Sequence, residues 1–273
     1  DVTGDFISSM EKIQKKFFAV DEFEKIDQLT VEVNETTKGF DGICLRDVEV
    51  EKNGKILLSE VNLAIVPGEK VLIVGDNGSG KTMLLKTILG INESSKGEVR
   101  YGDKSPGKIC SRTRSMLVAY NPVERMLFPA TIAENLNLYA EGQGYGAEEL
   151  KKRLWELLGR EYDVGEEIED AKSYFSLGQI DALCMLRTEK SEGSALVLDE
   201  PLAHADKKIF HLIWQELMES NRTVIAVEHE FDDVAKEFNP IIVWMDGGRI
   251  KAIEKYMNLI EQNEEFRNWR KGM

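Results

Sequence analysis

From Cys44 onward, short apolar runs alternate with amphipathic stretches. The runs "VNLAIV", "KVLIVG", "SALVLD", "TVIAV" and "PIIVWM" are continuously apolar and rich in β-branched residues, which predicts strands covered on both faces in a mostly parallel sheet. Between several of them lie helical patterns. "KKIFHLIWQELMES" places Ile209, Phe210, Ile213, Trp214 and Leu217 on one face, as a helix packed on a sheet requires. From about residue 130 to 175 the strand signal vanishes. There "AEELKKRLWELLGR" predicts a helix with Leu150, Leu154, Leu157 and Leu158 inward, so an all-helical insertion is expected over about 125–190.

Two stretches depart from this rhythm. Residues 1–40 open with Phe6, Met10, Ile13, Phe17 and Val20 at three- and four-residue steps, then turn polar in "QLTVEVNETTKGF". That pattern reads either as a helix packed on its own domain or as the tail of a segment belonging to something upstream. The initial Asp1, in place of Met, fits a piece of a longer chain. The second stretch, "VAYNPVERMLFPATIAENL" at 118–136, is too apolar for an ordinary loop and is broken by Pro122 and Pro129. Within it Thr131 and Glu134 have the spacing of a capping box that starts a helix; no ligand role is assigned to Thr131.

Composition narrows the partners. The formal net charge of −14 opposes binding to phosphate backbones, and no basic run offsets it, so nucleic acid is not expected as a partner. Any phosphate must be held by local geometry. Cys44, Cys110 and Cys184 are far apart and lack metal-ligand spacing, which reads as reduced thiols. No stretch approaches the roughly 18 apolar residues of a membrane helix.

That local geometry is present in "VLIVGDNGSGKT", which follows a strand and opens the helix "KTMLLKTILG". Gly75, Asp76, Asn77, Gly78, Ser79 and Gly80 form a P-loop whose backbone N–H groups can curl round a β-phosphate. Lys81 can reach the β- and γ-phosphates, and the Thr82 hydroxyl can ligate Mg²⁺. Downstream, "SALVLDE" ends an apolar strand in two acids. Asp199 can hold the metal, and Glu200 can orient or deprotonate an attacking water. In "YFSLGQIDALCMLR", Ser176, Gly178 and Gln179 stand at a helix start, either as a plain cap or as a second anion site.

Together these segments resemble the nucleotide-binding domain of ABC transporters. "FSLGQ" resembles the family signature LSGGQ, "SALVLDEPLAHAD" its acidic strand and D-loop ending in Asp206, and "TVIAVEHE" its switch with His229. The resemblance covers about residues 44–262, and the domain is assigned 41–273. It implies a P-loop NTPase fold of α/β class: a mostly parallel core sheet, an antiparallel β subdomain and the helical insertion. It also implies ATP and Mg²⁺ as cofactors, with Lys81, Glu200 and His229 catalytic and Thr82 and Asp199 on the metal. A second nucleotide-binding domain is the implied partner, meeting head to tail so that Ser176 and Gly178 reach the γ-phosphate bound to the other subunit. "TIAENL" and "VGEE" resemble exporter features, and residues 1–40 resemble the end of an exporter's last membrane helix. Transmembrane domains are therefore expected partners, with Met126, Leu127 and Phe128 offered to their coupling helix, and the cytoplasmic face of a membrane is the expected location.

Three positions depart from the family. Lys52 stands where an adenine-stacking aromatic is usual, Leu177 where the signature's first glycine is usual, and Val123 where a glutamine is expected. Glu124 is the adjacent candidate to replace that glutamine at Mg²⁺. The retained Lys81, Thr82, Asp199, Glu200 and His229 favour an ATP-hydrolysing motor, whereas the three departures favour a regulatory domain that binds ATP and gates an active partner. A soluble ABC protein acting on nucleic acid or ribosomes fits the acidic surface poorly.

Overall fold

The computed structural model describes residues 40–109, 111–138, 140 and 144–272. The expected N-terminal helix and linker, and the reading of Cys110, lie outside the described residues.

In chain order these form β1 (Ile43–Lys52), β2 (Lys55–Ile65), β3 (Lys70–Val74), α1 (Lys81–Ile88), β4 (Lys96–Tyr101), α2 (Ser111–Leu117) and β5 (Val118–Asn121). The insertion follows, with β6 (Ala130–Thr131), α3 (Ile132–Leu136), α4 (Ala147–Leu158), β7 (Glu167–Ile168), α5 (Ala171–Tyr174) and α6 (Leu177–Glu189). The chain then returns to β8 (Ala195–Asp199), α7 (Lys207–Glu219), β9 (Thr223–Val227), α8 (Asp232–Phe238), β10 (Ile241–Asp246), β11 (Arg249–Lys255), α9 (Tyr256–Gln262) and α10 (Glu264–Lys271).

Two sheets carry the fold. The core sheet runs β11-β10-β3-β9-β8-β5, parallel throughout except for β11 at its edge. Its strands are apolar at consecutive positions because both faces are covered. Ile73, Val197, Ile225 and Val243 pack on one side with Leu84, Leu85 and Ile88 of α1. Leu72, Leu196, Leu198 and Val224 pack on the other with Trp214, Phe231 and Tyr256. The second sheet, β2-β1-β4, is antiparallel and shares the first of these clusters. Asn53 and Gly54, both with positive φ (53° and 74°), close its hairpin as a two-residue loop of the favoured hand requires. Lys52 sits exposed at that tip.

The insertion is helical apart from one two-rung antiparallel ladder, Ala130↔Ile168 and Thr131↔Glu167, too short to leave an alternating pattern in sequence. In α4, Leu150, Leu154 and Leu157 are buried, and Leu158 is partly buried against the same cluster. The capping box at Thr131 is formed. Thr131 Oγ1 accepts from Glu134 N (3.1 Å), and Glu134 Oε2 accepts from Thr131 N (2.8 Å).

Residues 118–136 are thereby explained in part. Val118–Asn121 is an edge strand of the core sheet, pairing with β8. Beyond it, buried Asn135 accepts from Phe128 N (2.7 Å) and donates to Phe128 O (3.0 Å), fixing the bend before Pro129. One expectation is corrected: Leu127 is not offered to a partner but buried in the core. Met126 and Phe128 are half-buried, and Val123 is the exposed apolar residue, 45% accessible. The reason is that the chain leaving an edge strand must cover the end of the insertion's own core.

Candidate active site

The P-loop, residues 75–80, connects β3 to α1. Gly75 adopts φ 148°, and a Cβ there would lie 2.2 Å from Met245 O, so the loop's first position admits glycine alone. Gly248 N donates to Ser79 O (2.9 Å) and Ser59 N to Gly248 O (2.9 Å), which braces the loop against the β10–β11 turn and the antiparallel sheet. Buried Lys81 bends back over the loop, its Nζ donating to Gly75 O (2.7 Å) and Asp76 O (3.0 Å). Burial pushes its ammonium below the usual lysine range, while the charges of Glu200, Asp76 and Asp199 pull it back up. An anionic phosphate beside Nζ would relieve that burial penalty.

Thr82 Oγ1 lies 3.3 Å from Asp199 Oδ1 at the end of β8. Asp199 is almost fully buried, and its Oδ2 has no hydrogen-bond partner among the described residues. Burial holds its carboxyl above the usual range, with the Thr82 hydrogen bond opposing. Ser79 Oγ is likewise buried and without a partner among the described residues. A buried carboxylate oxygen beside a hydroxyl is a donor set suited to Mg²⁺, which takes few protein ligands and completes its shell with phosphate and water.

Glu200 immediately follows β8, and His229 follows β9, its neighbour in the sheet. His229 Nε2 lies 2.9 Å from Glu200 Oε1, so that with a proton on Nε2 the imidazole donates to the carboxylate. Glu200 has φ 48°, a left-handed conformation costing a non-glycine residue about 1–3 kcal/mol. An open cleft of about 950 Å³ borders the pair and is also lined by Glu228, Phe231 and Arg270.

The remaining candidates stand at two helix starts, those of α6 and α7. Ser176 caps α6, its Oγ accepting from Gln179 N (3.3 Å) while Gln179 Oε1 accepts from Ser176 N (3.0 Å). The hydroxyl is thus used as a cap acceptor, and its proton stays available to donate. Gly178 has an additional reason to be glycine: a Cβ would lie 2.3 Å from His204 O. Leu177 is half exposed, at 50%. Asp206 caps α7, its Oδ1 accepting from Ile209 N (2.9 Å).

Three residues near the site escaped sequence reasoning. Tyr120 lies on the same face of β5 as Asp199 on β8, given the register Tyr120↔Val197. Its phenol is pushed up to about 12, by burial first and then by the charges of Asp199 and Glu124. Glu228 is buried directly before His229 and raised to about 7 by burial. Its signal was a lone charge closing the apolar run "TVIAV". Trp269 of α10 donates from Nε1 to Asp76 Oδ1 (2.8 Å) within the P-loop, a contact no local pattern could announce.

A glycine-rich loop between a parallel strand and a helix, with an acid at the end of a second core strand, defines a P-loop nucleoside-triphosphate-binding domain. Residues 58–203 match the family model described as ABC transporter, and the chain belongs to that family, whose members are ATPases. It is 27% identical over 259 residues to the transport/processing ATP-binding protein ComA of Streptococcus pneumoniae, covering 92% of this chain and 35% of the relative. It is 31% identical over 218 residues to the energy-coupling factor transporter ATP-binding protein EcfA2 of Acetivibrio thermocellus, covering 77% and 76%. ABC transporter F family member 2 of Arabidopsis thaliana is 29% identical over 235 residues, covering 83% and 32%. The chain thus spans about a third of the length of several curated relatives it matches. Among solved structures, a bacterial Atm1-family ABC exporter with ATP bound superposes with a TM-score of 0.76 at 16% identity, covering 92% of this chain and 47% of that one, a likeness of fold.

Proposed function

We propose that this chain is an ATP-binding and ATP-hydrolysing motor domain of an exporter-type ABC transporter, working as a head-to-tail dimer around ATP. The observation that carries the reading is the convergence of Lys81, the Thr82–Asp199 pair and the Glu200–His229 pair at the carboxyl ends of neighbouring parallel strands. Lys81 exchanges its loop carbonyls for phosphate oxygens. Glu200 accepts a proton from the water that attacks the γ-phosphorus as the bond to the β-phosphate oxygen breaks and ADP leaves, while the Nε2 side of His229 either holds that carboxylate or turns to the γ-phosphate. Thr82 and Asp199 would hold Mg²⁺, which when bound neutralises charge on the β- and γ-phosphates. Ser176, with a hydroxyl proton to donate beside exposed Leu177, suits a contact to a nucleotide held by a second subunit.

Similarity to transporter ATP-binding proteins supports transmembrane partners and a place at the cytoplasmic face of a membrane. No described helix is long and apolar enough to cross one, so the spanning part would belong to residues or subunits beyond those described. The test is Mg²⁺-dependent phosphate release by the full chain; turnover no faster than that of Glu200→Gln would sink the motor reading.

A regulatory domain with little hydrolysis is the second reading, favoured by exposed Val123 at the expected glutamine position. Introducing Val123→Gln separates the two. A rise in turnover marks a site degraded at that position, and an unchanged rate shows that Glu124 or another group already acts there.

A further inference from the structure

The segment leaving β5 is stitched along one face of α6. Asn121 Nδ2 donates to Thr188 Oγ1 (3.0 Å), Cys184 Sγ lies 3.8 Å from Met126 O, and Arg125 Nε lies 3.5 Å from Asp181 Oδ1. Positions 181, 184 and 188 recur at helical spacing, so these contacts share one face of α6. The Arg125–Asp181 pair is the charged one among them, with side chains 8% and 2% exposed. Asp181 Oδ2 also accepts from His204 N (2.8 Å), in the loop that follows Glu200.

Arg125 faces the catalytic strand as well. Its Nη2 donates to Asp199 O (3.1 Å) and to Glu200 O. On the other side of the same residue, Glu200 N donates to Val227 O (3.0 Å). Both backbone groups of a residue at φ 48° are therefore pinned, one by β9 and one by the guanidinium. Such a conformation persists only where its surroundings over-determine it. The arrangement is an expensive way to gain stability. Burial holds the guanidinium below the ordinary arginine range, and Nη1 has no hydrogen-bond partner among the described residues. Buried ion pairs are often no better for stability than apolar pairs of similar size, so this one points to a role in the reaction.

We infer that Arg125 is a positioning residue for hydrolysis: it clamps the main chain of Glu200 in its left-handed conformation and ties it, through Asp181, to the helix that begins at Ser176. Movement of residues 122–128 then reaches the catalytic carboxylate and the second anion site through one side chain. Lysine would not reproduce the planar fork that spans two carbonyls and a carboxylate. The inference rests on the ATP-hydrolysing reading of the site.

The test compares ATP turnover and thermal unfolding for the full wild-type chain, Arg125→Gln, Arg125→Lys and the double variant Arg125→Met/Asp181→Leu. The double variant removes both charges together, so the fold is spared an unpaired buried ion. A misplaced catalytic group costs about a hundredfold in rate, so kcat is expected to fall about 30- to 100-fold in the glutamine and double variants. Arg125→Lys should recover part of that loss, and KM for ATP should stay within about threefold throughout because the P-loop contacts are untouched. A double variant that unfolds as the wild type does and keeps wild-type kcat overturns the inference, as does an Arg125→Gln chain with wild-type kcat. A wild-type chain without turnover overturns the hydrolytic reading and this inference with it; an active wild type with unaffected variants overturns the inference alone.

Discussion

His229 Nε2 lies 2.9 Å from Glu200 Oε1, although the two residues are 29 apart in sequence. The contact is possible because β8 and β9 are adjacent and parallel, so the residues just beyond their ends meet at one edge of the sheet. It places a hydrogen-bond donor on a half-buried carboxylate at the end of β8. Replacing Glu200 by glutamine keeps that geometry and removes the base. Turnover is expected to fall about 10²- to 10⁴-fold with ATP affinity retained, measured by phosphate release alongside binding of a fluorescent ATP analogue.

Glu228 gives the protein a pH-dependent stability. Its carboxyl is raised from 4.5 to about 7, chiefly by burial, while the bonds it accepts from His229 N and Glu230 N oppose the shift. The folded state therefore keeps a proton that the unfolded chain releases near 4.5. The associated stability is fully present below about pH 4.5 and is lost as pH rises through about 7, by up to about 3 kcal/mol. Glu228→Gln, which mimics the neutral form, is expected to match the wild type near pH 5 and exceed it near pH 8 in thermal unfolding. An equal loss for both proteins across that range would show that Glu228 is not the group responsible.

Trp269 connects the carboxyl-terminal helix α10 to the P-loop. Its ring stacks on Phe231 at 6.5 Å and packs against Trp244 at 5.6 Å, while its N–H reaches Asp76. Trp269→Phe keeps an aromatic and deletes the donor. The expected cost is about 1 kcal/mol, with faster amide hydrogen exchange confined to residues 75–80. Unchanged exchange there would mean that the loop is held by Gly248 and Lys81 alone.

Gly178 is packed against the main chain of His204 with no room for a methyl group. Gly178→Ala is expected to destabilise the domain by about 1–3 kcal/mol, since the obstruction is backbone and not the end of a flexible side chain. Denaturant unfolding of the isolated chain reads this directly. A loss of turnover without loss of stability would instead mean that the position acts only through a second subunit.

The phosphate-handling elements were legible in sequence because each is local. Gly75 to Thr82 needs only a strand, a turn and a helix start, and "SALVLDE" needs only an apolar strand ending in acid. The helices at Ala147 and Lys207 followed from spacing, and the Thr131 capping box from two residues three apart. Leu127 was misplaced because an apolar residue between two prolines carries no period to show which way it faces. Tyr120 and Arg125 carry no sequence signal for a related reason: the face they share with Asp199 and Glu200 depends on strand register and not on local spacing.

Local spacing along the chain set which short segments could cradle phosphate, ligate a metal and cap helices, since those properties depend on residues within one turn or one strand. Folding alone brings His229 to Glu200, Trp269 to Asp76, and Arg125 between Glu200 and Asp181. Those contacts arise where the sheet order β10-β3-β9-β8-β5 brings distant strand ends to one edge. Pairing of that range is fixed by the burial of both sheet faces, which no local spacing encodes.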